Sequence, residues 1–448
     1  MNKSFRTNML INTLQYFAGC LFLMYFCNKN TNMRYYNPNS SVVERDHDVI
    51  YIRKLNHSRV VSEFIKAIND GQKKGYDDFQ INFSEIDAAF PNAVTPIAGI
   101  LEHLKENSIS FDFDGTPQII IQNKMLKPAF YIKSPQSETN RILNKVWKFS
   151  TSDDVAKLVD TYIDELQKCD RFHKGMLDSV EWALNEVMDN VIQHSDSSHG
   201  YVMGQLHTNR KYIAFTIFDT GQGIYNSLRQ SVHAPRNTID AITLAIKEEV
   251  TRDKKIGQGN GLYGLHSIIK QGKGRLVITS GTGSYMYNNG DVKTFDRIPQ
   301  LSKISPCTIV DFQLDYSVDL SLDKALVFRG KQYNIINLRI ENLEDEQGNI
   351  VYKIKEHAEG TGTREAAIRV KNEIFNILQT NPKIIILDFE GVAVVSSSFA
   401  DELIAKLLLE LGLFQFNNII RLKGLDNSQQ NILQRSVIQR LLEEFNHK

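Results

Sequence analysis

Three stretches decide how this chain is read: Glu181-Trp-Ala-Leu-Asn-Glu-Val-Met-Asp-Asn-Val-Ile-Gln-His194, Asp219-Thr-Gly-Gln-Gly223 and Gly257-Gln-Gly-Asn-Gly-Leu-Tyr-Gly264. The apolar spacing predicts one helix over Leu177 to His194, with Val180, Leu184, Val187 and Val191 turned to a core. Glu186, Asn190 and His194 follow one another at intervals of four, so they share a helix face. Alone, that stripe also fits a solvated helix surface. Lys211 to Phe218 alternates as a strand, and the Asp219 turn breaks it. The glycine run then opens an apolar helix from Leu262 to Gln271, exposing free amide groups and the positive end of a helix dipole, both suited to phosphate. It is not a P-loop, which needs Gly-Lys-Ser/Thr. It also lacks the βαβ unit and following acid of a dinucleotide fingerprint. Each element alone has a plain structural explanation; their order and spacing carry the argument.

In that order, the three stretches resemble the nucleotide-contacting boxes of the gyrase, heat-shock chaperone, histidine-kinase and mismatch-repair ATPase superfamily, the GHKL or Bergerat fold. The resemblance covers roughly residues 150 to 315 and implies a two-layer α+β sandwich, helices on one face of a mixed sheet, that binds ATP with magnesium. On that basis Glu186 is the expected base that polarises the attacking water, and Asn190 the magnesium ligand. Asp219 is the expected acceptor for the adenine amino group, with Gly221 and Gly223 letting the backbone approach the base. Gly257, Gly259, Gly261, Leu262 and Gly264 are the expected phosphate loop. Thr308 matches the last box, a Gly-Thr pair, with Cys307 in place of the glycine. Ile224 to Ile256 corresponds to the lid over bound nucleotide, with Arg252, Lys254 and Lys255 either touching terminal phosphates or forming a solvated basic face. Strands over Gly274–Thr279, Gly283–Asn289 and Cys307–Leu314 are expected to complete the sheet.

Outward from this centre, 448 residues suggest two to four domains. Lys plus Arg and Asp plus Glu are both 52, so the net charge is zero and nothing signals a direct nucleic-acid partner. Cys20, Cys27, Cys169 and Cys307 have neither zinc-site nor disulfide-framework spacing, which fits a reducing cytoplasm. The uncharged stretch Thr7 to Asn28 behind Lys3 and Arg6 reads as a signal peptide, as a membrane anchor, or as sequence upstream of a start at Met33. Membrane association is expected only if residues 1–33 are retained.

Residues 34–48 read as a polar linker. A first small α/β unit, residues 34–130, has strands at Asp48–Ile52 and Phe79–Phe83 and helices at Val60–Asn69 and Ala93–Lys105. The same plan recurs in residues 330–448: a strand at Tyr333–Ile340, a helix at Arg364–Leu378, a strand at Ile384–Asp388 and a helix at Phe399–Leu411. Phe79-Gln-Ile-Asn-Phe-Ser-Glu-Ile-Asp87 and Ile386-Leu-Asp-Phe-Glu-Gly-Val392 look like diverged copies. Leu387-Asp-Phe-Glu-Gly-Val392 and Ser396-Ser-Ser-Phe-Ala-Asp-Glu-Leu403 resemble the STAS-like domains found beside such ATPases and, more distantly, the anti-sigma-factor antagonists. Ser397 falls at the antagonists' phosphoacceptor position, but Ser396 replaces the preceding aspartate; the other explanation is that Ser396–Ser398 cap the helix.

The architecture expected is therefore α/β, a central ATPase domain over residues 140–318 between two smaller STAS-like domains. Its expected function is an ATP-dependent switch or protein serine kinase acting on a regulatory protein partner. A sensor histidine kinase, with His173 as nearest candidate acceptor, and a non-hydrolysing ATP-gated scaffold are the alternatives. A homodimer is one assembly left open.

Overall fold

The fold is a computed structural model that describes residues 41–132, 141–247, 261–303, 305–328, 331–332, 343–345, 347–380 and 383–446. The apolar N-terminal segment, Gly257, Gly259, Arg252, Lys254, Lys255 and the strand expected at Tyr333–Ile340 lie outside the described residues. Among the described residues no helix is long and apolar enough to cross a membrane.

The first unit begins with a hairpin, β1 (Val43–Asp46) and β2 (Val49–Ile52), and continues as α1 (Arg59–Gln72), β3 (Asp78–Asn82), α2 (Pro91–Glu106) and β4 (Ser110–Asp114). Strands β2, β3 and β4 run parallel and in sequential order. Strand β1 lies inside the stretch expected to be a linker. Val42 and Val43 are buried, and their amide groups both donate to Glu63 Oε2 on α1, at 2.8 and 2.9 Å. Two apolar side chains and a shared carboxylate acceptor draw this segment onto the sheet despite its polar surroundings.

Among the described residues the central sheet has eight strands in the order β11-β10-β9-β12-β8-β7-β6-β5. These are β5 (Ala129–Phe130), β6 (Trp147–Phe149), β7 (Gly200–His207), β8 (Tyr212–Asp219), β9 (Arg275–Ser280), β10 (Gly283–Asn288), β11 (Asp291–Phe295) and β12 (Thr308–Asp315). Of these, β5 and β6 pair in parallel and the rest antiparallel, so the sheet is mixed; β5, within the range assigned to the first unit, joins it. One face packs on α3 (Ser152–Cys169), α4 (Met176–His194) and α7 (Gly261–Gln271). Between Asp219 and α7 lie α5 (Gly223–Leu228) and α6 (Thr238–Ala245). Helix α3 starts with a capping box: Thr151 Oγ1 accepts from the Asp154 amide while Asp154 accepts from the Thr151 amide. Its Tyr162 ring meets Phe215 edge-on, and Phe215 stacks on Phe312 across β8 and β12.

The opposite face of the sheet is not left to solvent. Helix α2 of the first unit lies across β7 and β8 and is buried almost all round, from Pro91 to Leu101. A Cβ on Gly99 would stand 2.4 Å from the Phe218 ring, so the helix backbone sits directly on the sheet. This explains why β7 and β8 are buried along nearly their whole length rather than alternating. The helices α3, α4 and α7 occupy one face of the sheet, and the neighbouring unit supplies the other wall.

The C-terminal unit repeats the plan of the first. After a short hairpin, β13 (Val327–Phe328) with β14 (Lys331–Gln332), come β15 (Ile350–Lys353), α8 (Arg364–Thr380) and β16 (Ile385–Asp388). A continuous helical segment α9 follows, made of Ser397–Ala400, a π turn at Asp401–Ala405 and Lys406–Leu411. Strand β17 (Ile420–Lys423) and α10 (Asn427–Asn446) come last. Strands β15, β16 and β17 are parallel and sequential, like β2, β3 and β4. Residue Glu344 bridges Ile350 antiparallel, at the edge where β1 sits in the first unit. Ala367, Val370, Ile374 and Ile377 of α8 are buried, matching the expected stripe.

Candidate functional site

Helix α4 carries Glu186 and Asn190, and Gly261, the first described residue of α7, lies against them. A Cβ on Gly261 would lie 2.7 Å from Glu186 Oε2 and 3.1 Å from Asn190 Nδ2. A side chain at this position would have to displace the ends of the Glu186 and Asn190 side chains. Burial raises the Glu186 carboxyl above its usual range, and the neighbouring Asp189 carboxylate adds to the effect. Asp189 is itself raised by burial. The later glycine has a packing role: a Cβ on Gly264 would meet Trp182 Cη2 at 2.1 Å, so this residue lets α7 cross α4 at short range. Leu262 packs its side chain against the helix-layer core.

At the far end of α4 the sheet contributes a second cluster. In the ladder, Asp219 on β8 faces Thr308 on β12, and Thr308 faces Ser280 on β9, so three polar side chains stand side by side at the strand ends. Asp219 is buried, its Oδ1 accepts from the Gly221 amide at 2.9 Å, and burial raises its carboxyl to about 7. The turn after it is pinned to α4. The Gln222 amide donates to Ser195 O at 2.7 Å, and Gln222 Nε2 donates to His194 O at 2.9 Å. A Cβ on Gly221 would come within 2.0 Å of Ser195 O, which excludes every other residue there. Gly223 has a φ of 72° and starts α5 in a left-handed conformation, beneath Pro306 and the Ser280 hydroxyl.

Ser280 carries no signal in the sequence, yet it joins this cluster. Its hydroxyl accepts from the Ile224 amide at 2.9 Å, reaches Cys307 O at 3.3 Å and lies 3.2 Å from Thr308 Oγ1. Only the β9–β12 register reveals it, because in sequence Ser280 is simply the last residue of a strand. Cys307 has a φ of 61°, a left-handed conformation that glycine adopts without strain and a cysteine does not. That conformation is the physical reason a glycine suits the position, and Cys307 holds it with its amide on Gly221 O at 3.4 Å and its side chain buried.

Glu186, Asn190 and Gly261 thus form one group, and Asp219, Gly221, Gly223 and Thr308 a second; α4 links the two. From Glu186 to Ser195 the helix rises about 13 Å. His173, at the turn before α4, pairs instead with Asp319 at 2.9 Å. Ser396, at the start of α9, is a helix cap: its hydroxyl accepts from the Phe399 amide at 3.0 Å, while Ser397 is exposed. Among the described residues no group of three or more His, Cys, Asp or Glu side chains is placed to hold a metal ion, so a cation at Asn190 would need its remaining ligands from elsewhere.

Comparison with known proteins bears on the flank more than on this site. No curated protein matches the chain. Among solved structures, the mycobacterial sensor histidine kinase MprB is similar over 38% of this chain and 95% of that one, at 14% identity and a TM-score of 0.21, a superposition too loose to carry an argument. Residues 366–430 match the model of a STAS-like domain of unknown function (DUF4325), so a STAS-like domain is present in the C-terminal unit.

Proposed function

We propose that the central unit is a two-layer GHKL-type domain that binds ATP with magnesium between the Glu186–Asn190 group and the Asp219–Thr308 group. In this reading ATP is hydrolysed, or its γ-phosphate moved to a protein serine, to switch partner interactions through the STAS-like domain. The observation that carries the reading is the closeness of Gly261 to Glu186 and Asn190, since it brings the last residues of the glycine-rich sequence run beside an acid and an amide. The second cluster lies along the same helix, at a separation an extended nucleoside triphosphate bridges.

The parts have chemically suitable roles. Asp219, ionised, offers an acceptor to the adenine amino group, and its Gly221 contact fixes the carboxylate plane. Thr308 and Ser280 give hydroxyls beside it. Amide groups at the Gly261 end of α7 donate to phosphate oxygens. Glu186, made more basic by its burial, takes a proton from the attacking water or hydroxyl. Asn190 contributes a hard oxygen ligand, and magnesium bound there would neutralise phosphate charge.

The test is a titration of the purified chain with ATP, with and without magnesium, beside the variants Glu186→Gln and Asn190→Ala. The reading expects nucleotide binding with slow turnover in the wild type, retained binding without turnover in E186Q, and a lost magnesium requirement in N190A. A wild type that ignores ATP overturns it. Binding without any turnover, unaltered in E186Q, would favour an ATP-gated scaffold.

A further inference from the structure

The two flanking units share one plan but attach to the centre through different helices and different chemistry. The first unit uses its second helix, α2, on an apolar face of the sheet. The C-terminal unit uses α8, the long helix between β15 and β16, on α3, through polar side chains. Asn376 Nδ2 donates to Gln167 O at 3.0 Å and to Asp170 O at 2.9 Å, and its Oδ1 accepts from the Phe172 amide at 2.7 Å. Asn372 Nδ2 reaches Lys168 O at 3.4 Å. Arg369 pairs with Glu165 at 2.8 Å, and Gln167 Nε2 donates to Glu373 at 3.0 Å. The Arg171 guanidinium lies 3.6 Å over the Phe375 ring.

These side chains do at the end of α3 what a C-terminal cap does within a helix: they satisfy its last carbonyls. They also hold the turn leading into α4, whose other side is anchored by Asp170 on Lys211 and Tyr316. Apart from the Phe375 ring, the groups in the α8 contact are polar and can exchange their partners for water, whereas α2 could leave the sheet only by baring apolar surface. The α8 contact has the chemistry of a joint that opens; the α2 contact does not.

We propose that Arg369, Asn372 and Asn376 form a releasable clasp through which the STAS-like unit regulates the nucleotide site. Engaged, the clasp fixes the end of α3 and the turn that positions α4, and with it Glu186 and Asn190. Released, by a partner that takes the α8 face, it loosens that turn. Asn376 and Arg369 are positioning residues that act through the α3–α4 turn. The proposal rests on the nucleotide reading above.

The test uses the full chain in three forms: wild type, Arg369→Glu, and the charge swap Glu165→Arg with Arg369→Glu, which also carries Glu359→Gln because Glu359 pairs with Arg369 at 3.0 Å as well. Amide hydrogen exchange over residues 165–176 reports the clasp, and titration with mant-ADP and magnesium reports the site. R369E should accelerate exchange in that segment at least tenfold and change nucleotide affinity at least threefold, with the circular dichroism spectrum unchanged. The swap should restore both. Unchanged exchange in R369E, or changes that the swap fails to restore, would overturn the clasp. Accelerated and restored exchange with constant nucleotide affinity would overturn the regulatory role while leaving the site reading intact. A wild type that binds no nucleotide refutes the site reading, and the regulatory role with it, whatever the exchange shows.

Discussion

Replacing Asp219 by asparagine separates what the fold needs from what a nucleotide needs. In the native protein this carboxyl is buried and pushed up to about 7 from its ordinary 3.8. At ~1.4 kcal/mol per pH unit, ionising it in place lowers stability by about 4 kcal/mol at most. The sign follows from the raised value: the native state holds its proton more tightly than the unfolded chain, so stability is full below about pH 4 and declines as pH rises to about 7. The substituted amide keeps the shape and the acceptor for the Gly221 N–H but has no charge to desolvate. Asp219→Asn should therefore be more stable than wild type at pH 8, by up to about 4 kcal/mol, and the two should converge near pH 4. Nucleotide binding should move oppositely. The ionised carboxylate is the stronger acceptor for an adenine amino group, so wild-type ATP affinity should drop below pH 7, by ~tenfold per pH unit at most, and D219N should bind ATP more weakly than ionised wild type. Urea unfolding followed by circular dichroism at pH 4 to 8, with calorimetric titration of ATP, measures both. A variant less stable than wild type at pH 8, or one that binds ATP undiminished, would refute the reasoning.

Three further expectations concern the parts that hold the site. Gly221→Ala drives a methyl group into Ser195 O and should lower stability by about 1–3 kcal/mol, read as a fall in the thermal midpoint, with loss of nucleotide binding. Ser280→Ala removes the acceptor of the Ile224 amide and should lower stability by ~1–3 kcal/mol; unfolding as stable as wild type would show that water replaces the hydroxyl. Gly99→Ala pushes α2 off Phe218 and should destabilise by about 1–3 kcal/mol, with the loss visible in near-ultraviolet circular dichroism while the C-terminal unit's exchange protection is kept.

Much of the architecture is legible in the sequence because its signals are local. The stripe of Val180, Leu184, Val187 and Val191 places α4, and all four side chains are buried. The break at Asp219 ends β8, and the β16 and α8 segments lie where the apolar spacing puts them. What escapes depends on contacts between distant segments. Ser280 becomes part of the cluster only through the β9–β12 register, and Gly264 is tied to Trp182 by a helix crossing that spacing does not reveal. β1 is hidden because its polar residues outweigh Val42 and Val43, whose partner, Glu63, lies some twenty positions on. The polar face of α8 gives no sign that Asn372 and Asn376 are buried against α3, since asparagines on a helix ordinarily face water.

The seating of α2 on the back of the central sheet also bears on where the gene can be cut. A fragment spanning only residues 140–318 would expose Tyr201, Met203 and Phe218 together as one greasy face, and would also lack β5. Such a piece should precipitate on expression. A truncation that starts near Val42 and runs past Leu326, so that Tyr316, Leu320, Leu322 and Leu326 still fill the core under the helix layer, keeps both faces of the sheet covered and is expected to stay in solution.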